Sequence, residues 1–155
     1  MHSRLSVNVL LRWLALLAGM SWTLPNSALG LLAGLACLPL GARPQWRRNE
    51  WALAFRCMPH RGGGGALTLG NVILYSGDEL DTPCFTYAHR AGHGAESCIS
   101  LADHERAHVF QYMLLGPLFL PLYALCGGIS VRNRFERAAD RYARQRRGWW
   151  PWPMA

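Results

Sequence analysis

His104-Glu105-Arg106-Ala107-His108 places two imidazoles one helical turn apart, with a carboxylate between them in sequence. On a helix, H-E-x-x-H lets both rings grip one Zn²⁺ while the glutamate draws a proton from a bound water. A third ligand is needed, and Glu136, 28 residues beyond His108, is the best placed candidate. Asp140 follows Glu136 by one turn, so it could accept a hydrogen bond from a ligating imidazole. The chemistry on offer is metal-assisted hydrolysis, with Glu105 as general base and His104, His108 and Glu136 as ligands.

These residues must be carried by two helices. Ser100 or Asp103 can cap the first, which puts His104, His108, Gln111 and Leu115 on one face. The second runs from about Asn133 to Arg147. Glu136 and Asp140 share one of its faces, Phe135, Ala138, Ala139 and Tyr142 an apolar one, and Arg134, Arg137, Arg141 and Arg144 a basic stripe. This stripe suits water or anionic headgroups.

Between the two helices lies an apolar run, and it sets a geometric condition. One straight helix over 109–131 would be about 35 Å long. It would put His108 and Glu136 on opposite sides of a membrane, as in a plain integral membrane protein without metal. A shared ion requires the chain to turn back. Gly116-Pro117 is the expected break, because proline removes a backbone donor and crowds the preceding turn; Pro121 adds a second defect. A re-entrant or surface-lying segment with the ion at the membrane interface follows.

Composition points to lipid. Of 155 residues 51% are hydrophobic and 16% charged, too little polar surface for a free globule. The net charge is +7 and all 16 basic residues are arginine, which suits anionic lipid; no nucleic-acid module is visible.

Residues 5–24 and 27–41 are apolar runs separated by the turn signal Pro25-Asn26. Ser27-Ala28-Leu29-Gly30 would suit cleavage of a signal peptide, but Arg12 and the second apolar run favour a membrane helical hairpin over 1–48. Arg4 at one end and Arg43, Arg47 and Arg48 at the other place both flanks on the cytoplasmic side. Residues 49–155 would form the second unit.

Alternation in 51–57 and 66–75 predicts a β-hairpin, joined through the connector Gly62 to Gly65. Residues 78–97 read as a loop. Within it Cys84, His89, His93 and Cys98 could bind a second zinc, Cys84 and Cys98 could pair, or no link forms. Five cysteines leave at least one thiol free. Trp149, Trp150 and Trp152 among prolines read as an interfacial aromatic belt.

The pattern His104-Glu105…His108 with Glu136-x-x-x-Asp140 resembles the gluzincin peptidases, in particular the membrane-embedded ones with an E-x-x-x-D third-ligand motif. The resemblance implies His104, His108 and Glu136 as zinc ligands, Glu105 as base, Asp140 behind a ligand, and a β-hairpin or edge strand that receives a peptide or protein substrate. A wider set of motifs is similar to small bacterial membrane proteins, implying a bacterial inner membrane. These motifs are Trp22-Thr23-Leu24-Pro25-Asn26, Leu67 to Leu74, His104 to Tyr112, Gly116 to Tyr123 and Phe135-Glu136-Arg137-Ala138.

The fold class expected is α+β: membrane hairpin, β-hairpin, then a minimal zincin-like helical core. One departure stands out. Arg106 occupies a position usually uncharged, and a cation beside the base would weaken its pull on a proton. Tyr75, Tyr112 and His89 are all open as donors to the oxyanion. The same residues could also hold a structural zinc in a protein without catalysis.

Overall fold

The computed structural model describes residues 2–59, 65–93 and 98–152. It is mixed α+β. In chain order come α1 (His2–Trp22), α2 (Leu24–Ala36), β1 (Arg43–Arg47), β2 (Ala52–Arg56), β3 (Ala66–Leu69), β4 (Val72–Tyr75), β5 (Pro83–Cys84), α3 (Tyr87–Arg90), β6 (Ile99–Ser100), α4 (Leu101–Leu115), α5 (Phe119–Leu125) and α6 (Arg134–Gln145).

The main sheet has the order β1-β2-β4-β3. This corrects the single hairpin expected from 51–57 and 66–75. Residues 66–75 form a hairpin by themselves, turning at Gly70-Asn71 with Leu67 opposite Leu74. Gly70 takes φ +64° there, the conformation glycine adopts most readily. β2 lies parallel to β4, with Leu53 opposite Val72 and Phe55 opposite Leu74. Its antiparallel partner is β1, with Pro44 opposite Phe55. β1 falls within 1–48, so that stretch supplies a sheet edge as well as helices. Its Arg, Pro and Gln side chains gave no alternation to read, and such residues suit an exposed edge. Of the connector, Gly62 to Gly64 lie outside the described residues.

Strand alternation divides the sheet's two faces. Val72 and Phe55 face α2; Ile73 and Ala54 face α4 with Leu80, Leu101 and Val109. α2 sits with its backbone directly on the sheet because Asn26, Gly30 and Gly34, spaced four apart, form its buried stripe. A Cβ on Gly30 would fall 2.8 Å from that of Val72, and one on Gly34 would enter the Phe55 ring.

The turn expected at Pro25-Asn26 is not formed; both residues lie in the first turn of α2. Thr23 alone separates α1 from α2, and helical bonding runs through it, from Thr23 N–H to Gly19 O and from Ser27 N–H to Thr23 O. Pro25 is tolerated because the first helical turn needs no donor there. α1 packs on α4 through Gly19 and Met113, and α2 packs on the sheet.

Helical residues Leu101–Leu125 are long and apolar enough to cross a membrane, with mean hydropathy 1.3, and a third of that window is buried. They are not straight. Gly116, at φ +54° and ψ −131°, breaks the helix, and a 3-10 turn over Gly116–Leu118 starts the next arm. A Cβ on Gly116 would enter the Trp22 indole, and the Asn26 amide donates to Gly116 O at 2.9 Å. Asn133 closes the return: its amide donates to Tyr123 O (3.1 Å) and Gly128 O (2.6 Å), while its side-chain oxygen caps Phe135 N–H at 2.9 Å. α6 then runs against α4 through Ala107, Ala139 and Tyr142.

The tryptophans after α6 fold back onto the protein. Trp149 meets Phe110 with ring centroids 5.9 Å apart, and Trp152 meets Phe135 at 5.5 Å.

Candidate metal centre

Ser100 caps α4, its hydroxyl accepting from Asp103 N–H at 3.3 Å. This starts the helix at the register that turns His104 and His108 to the same side. α6, capped by Asn133, turns Glu136 and Asp140 toward them. The two helices bring the three expected ligands together: His104 Nε2 lies 3.1 Å from Glu136 Oε2, His108 Nε2 lies 3.2 Å from His104 Nε2, and His108 Nε2 lies 3.5 Å from Glu136 Oε2. All three residues are buried. Among the described residues this is the one such group that could hold a metal ion.

The surroundings decide which ring nitrogens carry hydrogen. Asp140 Oδ1 lies 3.0 Å from His104 Nδ1, an ion-pair distance, but the two atoms are not aligned as a hydrogen bond. Gln111 Oε1 lies 2.8 Å from His108 Nδ1. His108 therefore carries a hydrogen on Nδ1, facing the Gln111 oxygen, and the Nε2 atoms of both rings turn toward Glu136. Burial pushes both imidazoles down, but the carboxylates outweigh it, Asp140 and Glu136 at His104 and Glu136 at His108, and hold both rings above the ordinary histidine range. A metal ion bound there would take the place of the protons held between the rings and the carboxylate. Burial pushes the Glu136 carboxyl up, but the facing His108 and His104 outweigh it and hold it well below the usual carboxylate range.

Glu105 points to the sheet. Its Oε2 accepts from the Thr68 hydroxyl on β3 at 2.6 Å, and the residue is 3% exposed. It borders a cleft of about 260 Å³ together with the three ligands, Thr68 and Tyr123. β3 is the outermost strand on this side.

Arg106 does not stand beside Glu105. Its guanidinium lies over the rings of Phe110 (5.3 Å) and Tyr142 (6.0 Å), toward α6. One step along a helix is a rotation of about 100°, enough to send the two side chains to different neighbours.

The donors named from sequence are sorted by position. Tyr75 is buried in the core, its hydroxyl 3.3 Å from Thr82 Oγ1, and His89 stacks on Phe85 with centroids 4.5 Å apart. Tyr112 borders the cleft. Two further tyrosines do so unforeseen: Tyr123, whose hydroxyl donates to Glu136 Oε1, and Tyr87, whose hydroxyl is pushed up to about 12 by burial and by the Glu136 and Glu105 charges. Tyr123 lies in the Gly116-to-Tyr123 motif, but only the bend at Gly116 brings it to α6.

Cys84 and Cys98 are free thiols, and burial pushes Cys84 up to about 11. Among the described residues Cys84, His89, His93 and Cys98 do not gather as a second ligand group.

No protein-family model, curated protein or solved structure matches this chain.

Proposed function

We propose that this protein is a membrane-associated zinc metallohydrolase acting on peptide or protein substrates. The observation that carries the reading is the triangle of His104 Nε2, His108 Nε2 and Glu136 Oε2, with sides of 3.1, 3.2 and 3.5 Å. A tetrahedral zinc with bonds of about 2.0–2.1 Å spaces its ligands about 3.3–3.4 Å apart. Three protein ligands leave the fourth position to water, the pattern of catalytic sites.

When bound, zinc would bring the pKa of its water to about 7 and polarise the scissile carbonyl. With the ion bound, Glu105 would take a proton from the attacking water as its oxygen bonds to the carbonyl carbon, and would hand that proton to the leaving amine as the C–N bond breaks. The Thr68 hydroxyl fixes the Glu105 carboxylate in place. Gln111 keeps the His108 ring in its tautomer, and the Asp140 carboxylate stands 3.0 Å behind the His104 ring. Tyr87 keeps its proton at neutral pH and serves as donor to the oxyanion. The outer edge of β3, unpaired among the described residues, supports extended binding of a peptide.

Membrane association is supported by apolar side chains turned outward: Leu10, Leu17, Leu24 and Leu32 on α1 and α2, and Leu118 and Leu125 beyond the bend. A bilayer would cover them. The resemblance of its motifs to small bacterial membrane proteins supports a bacterial inner membrane as that bilayer.

Metal analysis of the purified protein beside His104→Ala and Glu136→Ala tests the site. One zinc per chain is expected in the parent and near none in the variants. Equal content in all three would end the metal reading. A structural zinc is the second reading, favoured by Glu105 being buried and already hydrogen-bonded. Under it, Glu105→Gln leaves biological function untouched.

A further inference from the structure

Gln111 stands one turn beyond His108, fully buried and bonded at both ends of its amide. The NH₂ donates to Trp149 O at 2.8 Å and to Phe135 O at 3.3 Å. Both partners are carbonyls, which only accept, so the amide cannot be turned over. Its oxygen must then face His108 Nδ1, 2.8 Å away, and that nitrogen must carry the hydrogen. The C-terminal segment is held where it can do this. Arg141 donates to Gly148 O at 3.0 Å and to Trp150 O at 2.9 Å, on either side of Trp149. Phe110 and Tyr142 pack as neighbours beneath the Trp149 ring.

We infer that Gln111 is a positioning residue for the metal centre. It locks His108 in the Nδ1–H tautomer and so keeps Nε2 free to ligate, with the Trp149 carbonyl setting the amide's orientation. The inference rests on the metal reading above, but its core concerns a proton that is present with or without metal. The segment after α6 thereby belongs to the centre although none of its side chains reaches the ligands. Loss of a hydrogen-bond partner behind a ligand typically lowers metal affinity about 10–100-fold.

The test uses the full chain in detergent, metal-free and zinc-loaded, with ¹⁵N-labelled histidine. In the metal-free parent, at a pH high enough that the ring is neutral, two-bond ¹⁵N–¹H correlations should report His108 as Nδ1–H. In Gln111→Leu the Nε2–H form should appear, and zinc affinity, measured by competition with a chelating dye, should fall about 10–100-fold. A merely structural Gln111 would lower thermal stability and leave the tautomer unmoved. An Nε2–H tautomer in the parent, or unchanged tautomer and affinity in a folded Gln111→Leu, overturns the inference. Should Gln111→Leu not fold, the parent's tautomer alone decides. A parent that takes up no zinc yet shows Nδ1–H sinks the metal reading while leaving the tautomer lock standing.

Discussion

The two arms on either side of Gly116 obey opposite rules. Before the bend, α4 buries His104, Glu105, His108 and Gln111 among α6 and the sheet. After it, the 3-10 turn and α5 leave Leu118 and Leu125 at 58% and 84% exposure. Charged groups inside and leucines outside is the distribution expected where the surroundings are less polar than the site. A hydropathy window averages both arms into one apolar helix and misses the reversal.

The comparison can be broken most severely at the buried end. Glu105→Gln should keep its zinc and lose about 10²–10⁴-fold in peptide hydrolysis, measured on a casein or quenched-peptide panel. Hydrolysis at the parent rate would remove Glu105 from the chemistry. Next comes the bend's closure. Asn133→Ala strips a helix cap and leaves two carbonyls, those of Tyr123 and Gly128, without their donor. A loss of about 3 kcal/mol is expected, lowering the thermal midpoint by roughly 6–12 °C in the same detergent. Gly116→Ala asks less: positive φ and the Trp22 ring together should cost about 2 kcal/mol and reduce zinc occupancy as α5 shifts.

The outward arm gives smaller effects. Leu17→Ser, at a side chain 59% exposed on α1, should weaken partitioning into vesicles by about 1 kcal/mol while zinc content stays at the parent value. Coupled loss of both would show that the two regions are not separable. Smallest of all, Arg106→Gln should keep hydrolysis within about threefold and cost about 0.5–1 kcal/mol of stability, since it removes a cation from over Phe110 and Tyr142.

What could be read from residues alone was whatever short-range spacing dictates. The Ser100 cap, the facing imidazoles, the break at Gly116-Pro117 and the face shared by Glu136 and Asp140 all follow from helical geometry over a few residues. Strand pairing does not. Nothing local tells Leu53 that its neighbour is Val72 in parallel, or that Pro44 lies against Phe55, because those choices are made by how α2 and α4 cover the sheet. The same limit hid Thr68 and Tyr123, which reach the site only through long-range folding. Tyr75 and His89 carry the right chemistry and belong instead to core and loop packing. Helical spacing puts Gln111 on the correct face, but its partner Trp149 O is a backbone atom that no side-chain pattern announces.

The Tyr123 hydroxyl ties one oxygen of Glu136 to the arm that carries Leu125 outward. An amphiphile covering that arm would therefore lie two contacts from the carboxylate. Under the membrane reading, the choice of solubilising agent would act as a reagent in its own right, and micelle chain length as a dial on how Glu136 presents itself.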